Sequence, residues 1–145
     1  MTSNKTKHLS PHFTFEELTG TSKIPYKLLN TLLAKQYLNN LLLLANYLLE
    51  PVRAISGVPI IITSGYRCPA LNKEVGGSAN SQHLNGTAAD FVVQDKTISL
   101  EVIFEKLKES PLHYGQLILE RNWIHISLGI PFREQQKCYE SFKIL

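Results

Sequence analysis

From Tyr26 to about Ala54 the apolar residues Leu28, Leu32, Leu38, Leu41, Leu42, Ala45, Leu48, Leu49 and Val52 recur at helical spacing. That period gathers them on one side of a helix and predicts a long core helix, with Pro51 in its last turns or opening a new one. Lys35, Gln36, Asn39, Asn40 and Asn46 interrupt the stretch, and its longest apolar run is Leu41 to Ala45. A membrane span needs roughly 20 mostly apolar residues, so this segment is read as core. The pattern then changes. Val58-Pro59-Ile60-Ile61-Ile62-Thr63-Ser64 is short and β-branched, a buried strand. Gly65 to Gln82 reads as a long loop with a short helix near Ala70 to Glu74, and Ala88 to Val93 as a second strand. Ser99 to Lys108 predicts a helix with Ser99 as its N-cap. Gln116 to Glu120 and Trp123 to Ser127 predict two strands joined by Arg121-Asn122, a hairpin by length. Near the start, Phe13 to Leu18 reads as a short helical turn, with Thr14 and Glu17 at capping-box spacing. Residues 1–12 are polar and expected loose, and the tail from Pro131 is weakly patterned. Helices come first and most strands later, so the expected class is α+β, one domain over 1–145 with 1–11 and 132–145 peripheral.

Composition narrows the partners. The 145 residues are 43% hydrophobic and 19% charged, ordinary for a globular domain able to bury a core. A net charge of +3 permits attraction to an anionic surface such as a bacterial cell wall. Lys and Arg are scattered, with no basic run interleaved with aromatics, so no nucleic-acid partner is expected. Cys68 and Cys138 form no CxxC pair. Two free thiols would suit a reducing compartment, and a disulfide between them stays open. The opening MTSNKTKHLSPHFTF has lysines but no apolar segment after them, so no secretory signal is read there and synthesis in the cytoplasm is expected.

The chemistry concentrates in Ser81 to Asp90 and in the hairpin. His83 and Asp90 bracket Asn85-Gly86 and run into the apolar Phe91-Val92-Val93. With a two-residue turn, Ile118 opposes His125 and Glu120 opposes Trp123, so all four share one face. If that face meets His83 and Asp90, two imidazoles and a carboxylate come together with a second carboxylate nearby. Zinc accepts such donors, and catalytic sites use three protein ligands with a fourth position for water. His83, Asp90 and His125 are then the candidate ligands and Glu120 the candidate general base. Arg67, at the end of the first core strand, is the candidate for steadying an oxyanion or a substrate carboxylate. Each part has a plain alternative. A lone histidine is more often a surface or satisfied core residue. Asp90 could accept backbone hydrogen bonds, Ser64 to Arg67 could be a simple turn, and Glu120 could be solvated at an exposed hairpin tip. His8, His12 and His113 are read without a role.

The sequence resembles the zinc D-Ala-D-Ala carboxypeptidase family, whose fold is shared with the Hedgehog signalling domain. The family pattern S-x-H-x-x-G-x-A-x-D is met by Ser81, His83, Gly86, Ala88 and Asp90. Ser64-Gly65-Tyr66-Arg67 matches its SGYR block, and Trp123-Ile124-His125-Ile126-Ser127 its W-x-H-x-S strand. Phe13 to Leu18 and Leu48 to Arg53 are similar to phage-type members, so the resemblance covers about residues 12 to 130. It implies N-terminal helices packed on a small, mostly antiparallel sheet that carries a zinc site. It implies a peptidase acting on peptidoglycan stem peptides, either a D,D-carboxypeptidase or an endopeptidase of the endolysin type. His83, Asp90 and His125 match the zinc ligands, and Arg67 the substrate or transition-state arginine. Ser64, Tyr66, Ser81, Gln82 and Trp123 fall within the matched blocks and are expected on the substrate side. Several relatives place the general base three residues before the last histidine, which here is Asn122. Phage-type members show a Q-L-I-x-E strand instead, matched by Gln116-Leu117-Ile118-Leu119-Glu120, which assigns the base to Glu120. A monomer is expected, and the lack of a signal peptide and of a recognisable wall-binding domain suits a phage-type enzyme that reaches the cell wall by other release or within a virion. The alternative is a catalytically silent, zinc-containing binding module of the same fold.

Overall fold

The computed structural model describes residues 7–129. The tail from Pro131, and with it Cys138, lies outside the described residues; Cys68 is buried with a free thiol.

The first described residues form a small hairpin, β1 (His8–Ser10) against β2 (Phe13–Thr14). The expectation of a loose start fails here because Glu50 anchors it. Its carboxylate accepts from Ser10 Oγ at 2.7 Å, from the His12 backbone N–H at 2.7 Å and from His12 Nδ1 at 2.8 Å. His12 therefore has a structural partner 38 residues away. Thr14 then caps α1 (Phe15–Thr19) through the expected capping box: its Oγ1 accepts from Glu17 N–H at 3.1 Å, and Glu17 Oε1 accepts from Thr14 N–H at 2.9 Å.

The long helix read from the leucine pattern is instead a series of segments: α2 (Lys27–Ala34), a tight turn at Lys35–Tyr37, α3 (Leu38–Leu44), a widened π turn (Ala45–Leu49) and α4 (Glu50–Ser56). Pro51 has no N–H to offer the Tyr47 carbonyl and its ring would crowd that carbonyl, so the chain widens just before it and resumes α-helical pairing after. From Leu41 onward the stripe is core, with Leu41, Ala45, Leu48, Leu49 and Val52 buried as expected, Leu42 only half-buried, and Leu44, outside the stripe, buried as well. The front of the stripe is not. Leu28 and Leu32 are 70% and 50% exposed, while α2 buries Asn30 and Ala34. Burial of Asn30 follows from hydrogen bonding: its Nδ2 donates to the Thr19 and Tyr66 carbonyls at 2.8 and 3.0 Å, and its Oδ1 accepts from Cys68 N–H at 2.7 Å. An amide that satisfies three buried backbone groups costs little to bury.

A left-handed Gly57 ends α4 and the chain enters β3 (Ile60–Ser64). It is followed by α5 (Pro69–Glu74), a short 3₁₀ turn (Gln82–Asn85), β4 (Ala88–Val93), α6 (Leu100–Glu109), β5 (Leu117–Leu119) and β6 (Ile124–Ser127). Ser99 caps α6 as expected, accepting from Val102 N–H at 3.2 Å. The sheet order is β3-β4-β6-β5, antiparallel throughout. Ala89, Phe91 and Val93 of β4, Ile124 and Ile126 of β6 and Leu117 of β5 share the buried face with the helical leucines and with Ile103 and Leu107 of α6. Strand alternation therefore turns Asp90 and His125 to the other face. This is a mixed α+β domain, and no described helix is long and apolar enough to cross a membrane.

Candidate metal centre

The two central strands supply two of the site residues. Asp90 and His125 are directly paired between β4 and β6. His125 in turn opposes Ile118 on β5, the register expected from a two-residue turn. Next to Asp90 the β3–β4 register shifts between Ile62 and Ser64, and Thr63 Oγ1 donates to the Asp90 carbonyl at 3.2 Å. A bulge of this kind re-aims neighbouring side chains, and it sets Ser64 opposite Asp90.

His83 comes from the 3₁₀ turn. Ser81 caps that turn, its Oγ accepting from His83 N–H at 3.1 Å. Gln82 braces it, its amide donating to the Leu128 carbonyl at 3.1 Å and to Thr87 Oγ1 at 3.4 Å. Gly86 closes the turn with φ of 75°, a left-handed conformation open to glycine, and Ala88 and Ala89 beyond it are fully buried. Gly65 is small for a second reason: a Cβ there would collide with the Leu18 carbonyl. That close approach lets Tyr66 N–H donate to the Leu18 carbonyl at 2.8 Å and leaves the Gly65 carbonyl for His83.

The contacts show which nitrogen of each ring faces Asp90. His83 Nδ1 lies 2.7 Å from the Gly65 carbonyl, an acceptor, so Nδ1 carries the proton and the neutral ring has a bare Nε2. That Nε2 is buried without a hydrogen-bond partner, although Asp90 Oδ1 is 3.3 Å away. His125 Nε2 lies 3.1 Å from Gln116 Oε1, and its Nδ1 lies 2.9 Å from Asp90 Oδ1. The two rings meet edge to face with centroids 5.2 Å apart. One atom from each of His83, Asp90 and His125 thus lies within 4.8 Å of the others. Tetrahedral zinc with bonds of about 2.0–2.1 Å needs ligand atoms about 3.3 Å apart, close to the spacings from Asp90 to each imidazole. Converging lone pairs, one on an orphaned nitrogen, are what a cation would satisfy, so the residues fit a metal.

The electrostatics agree. Burial by itself would raise the Asp90 carboxyl, but the two imidazoles beside it, His125 Nδ1 at 2.9 Å and His83 Nε2 at 3.3 Å, outweigh it and hold it down to about 2. Asp90 is thus ionised across the neutral range. Arg67 is half-buried beside this charge. Burial lowers its pKa and the Asp90 carboxylate works the other way. Its Nε is buried without a partner, and its backbone N–H donates to the His83 carbonyl at 2.9 Å.

A family model described as Peptidase M15 matches residues 11–127. The chain belongs to the peptidase M15 family. It is a peptidase of a metal-dependent family, and among its described residues His83, Asp90 and His125 are a group that could hold the metal. No curated protein matches the chain.

Other residues of this M15 peptidase fall at varying distance from expectation. Glu120 is half-buried at the end of β5, its N–H donating to the Trp123 carbonyl at 2.9 Å. Trp123 is 37% exposed at the hairpin tip. Tyr66 requires a correction. It is 1% exposed and its ring lies 5.4 Å from that of Tyr37, so it packs in the core and holds the Arg67 loop rather than facing a substrate. Burial pushes its phenol up to about 12. Two contacts escaped the sequence reading. Asn30 holds the Tyr66 carbonyl and Cys68 N–H on either side of Arg67, and Gln116 Oε1 meets His125 Nε2 at 3.1 Å. For Gln116 a signal existed, since it shares the strand face of Ile118 and Glu120. For Asn30 none did, because it sits in a leucine-rich helix.

Proposed function

We propose that this M15 peptidase is a zinc enzyme that hydrolyses peptide bonds of bacterial peptidoglycan stem peptides, as a D,D-carboxypeptidase or as an endolysin-type endopeptidase. The observation that carries the reading is the convergence of His83 Nε2, Asp90 Oδ1 and His125 Nδ1 in an M15 chain. In this reading those atoms are the zinc ligands, a set of nitrogen and oxygen donors that suits zinc. When bound, zinc polarises the scissile carbonyl and lowers the pKa of water toward 7. Glu120, diagonal to His125 across the β5–β6 pair, takes the attacking water's proton and delivers it to the leaving amine. Arg67, its Nε without a partner, pairs with the developing oxyanion or with the substrate's terminal carboxylate. Ser64, Ser81 and Gln82 border the ligands, and Trp123 offers an exposed indole to the peptide. The net charge of +3 favours approach to an anionic wall.

The test is a digest of purified stem peptides with and without a chelator, read by mass spectrometry. Chelator-sensitive loss of one terminal alanine identifies a D,D-carboxypeptidase. A chelator-sensitive internal cut identifies an endopeptidase and names its bond. Zinc-loaded protein that cleaves neither would overturn the proposal in favour of a binding module of the same fold.

A further inference from the structure

We propose that Gln116 is a positioning residue for the metal centre, holding His125 with Nδ1 turned to the metal and Nε2 protonated. This rests on the reading of His83, Asp90 and His125 as metal ligands. Leu117 pairs with Ile126 and Ile118 with His125, so Gln116 falls opposite Ser127. Two bonds lock that position, one to the Ser127 side chain and one between backbones: Gln116 N–H donates to Ser127 Oγ at 3.0 Å, and Ser127 N–H donates to the Gln116 carbonyl at 3.0 Å. Gln116 and His125 are thus diagonal neighbours on one face, a separation that a glutamine side chain spans.

The contact made there is specific in chemistry. Gln116 Oε1 lies 3.1 Å from His125 Nε2, and a carbonyl oxygen can only accept. Asp90 Oδ1, also an acceptor, lies 2.9 Å from Nδ1, so a metal that takes the Nδ1 lone pair settles the ring proton on Nε2, where Gln116 accepts its hydrogen bond. The Gly65 carbonyl plays the mirror role for His83, 2.7 Å from Nδ1, which frees Nε2. The two rings present opposite nitrogens to the same point, and each is oriented by an acceptor on its far side. For His83 that acceptor is backbone and cannot be mutated away. For His125 it is one side chain. Its neutrality is the second part of the inference. A carboxylate in this place would draw the Nε2 proton more strongly and make Nδ1 a stronger donor, whereas an amide orients the ring and leaves the metal more electron-poor.

The experiment compares wild-type protein with Gln116→Leu and Gln116→Glu. Zinc affinity is measured by competition with a chromophoric chelator, and the His125 Nε2 proton is followed by NMR with and without zinc. Gln116→Leu is expected to bind zinc about 10–100-fold more weakly and to lose protection of the Nε2 proton from exchange. Gln116→Glu is expected to restore wild-type affinity or exceed it. Wild-type affinity in Gln116→Leu, or equal weakness in both variants, overturns the proposal. Should Gln116→Leu fail to fold, Gln116→Glu alone decides: a shifted Nε2 proton with zinc bound at least as tightly as by the wild type supports it, and an unshifted proton or weaker binding overturns it. Should the wild-type protein take up no zinc, the ligand reading fails, while the Nε2 proton of the metal-free proteins still decides whether Gln116 holds the ring.

Discussion

At the scale of single residues, the proposed roles separate cleanly under substitution. His125→Ala should lose zinc and turnover together, measured by metal analysis and peptide digestion on the same sample; full turnover with retained zinc would remove His125 from the ligand set. Glu120→Gln should keep zinc and lose about 10²–10⁴-fold in turnover, the usual worth of a positioned general base. Near-wild-type activity would place the base elsewhere. Asn30 has no chemistry of its own, yet Asn30→Ala orphans the Cys68 N–H and the Thr19 and Tyr66 carbonyls. A loss of about 3 kcal/mol in denaturant unfolding is expected. A loss below about 1 kcal/mol would mean that water replaces the amide.

At the scale of elements, the sheet was legible and the helices only in part. Strand alternation is strict, so a two-residue turn was enough to put Ile118 opposite His125, as observed. The Ala88–Val93 strand and the Ser99 and Thr14 caps also follow from local chemistry alone. The helical stripe misled at Leu28 and Leu32 because periodicity reports an apolar face, and cannot report that a polar Asn30 has backbone partners waiting in the core. Gln116 escaped for a related reason: a diagonal contact to a ring nitrogen is a matter of side-chain reach, which spacing does not encode. The N-terminal hairpin was missed because its anchor, Glu50, lies on α4. That anchor makes a prediction in pH. Burial works against the Glu50 carboxylate, but hydrogen bonds from Ser10 and His12 outweigh it, so its pKa is lowered. A depressed folded-state pKa contributes stability above the ordinary carboxylate range, and the contribution is lost as pH falls through the lowered value. Glu50→Gln should therefore melt below the wild type at neutral pH, with the gap closing in acid. A gap independent of pH would assign the effect to packing.

At the scale of the whole molecule, the three proposed ligands come from three places along the chain, the 3₁₀ turn, β4 and β6, and meet once the sheet is assembled. An ion bound there stabilises the folded state over the unfolded one. Zinc at about 100 times its dissociation constant should add about 2.7 kcal/mol of stability, seen as a rise in melting temperature that chelator reverses. An unchanged melting temperature would show that no such ion binds.

The exchange between His83 and the Gly65–Arg67 loop has a consequence of a different kind. His83 gives its ring proton to Gly65, and Arg67 gives its backbone proton to His83, so the first ligand and the arginine are stitched in both directions. Whatever factor an ion at His83 adds to the affinity of Arg67 for an anion, the anion returns to the ion, since linkage is reciprocal. Where that factor exceeds one, a carboxylate-bearing product held on Arg67 would tighten the binding of the metal, and the enzyme would hold its ion best while it is at work.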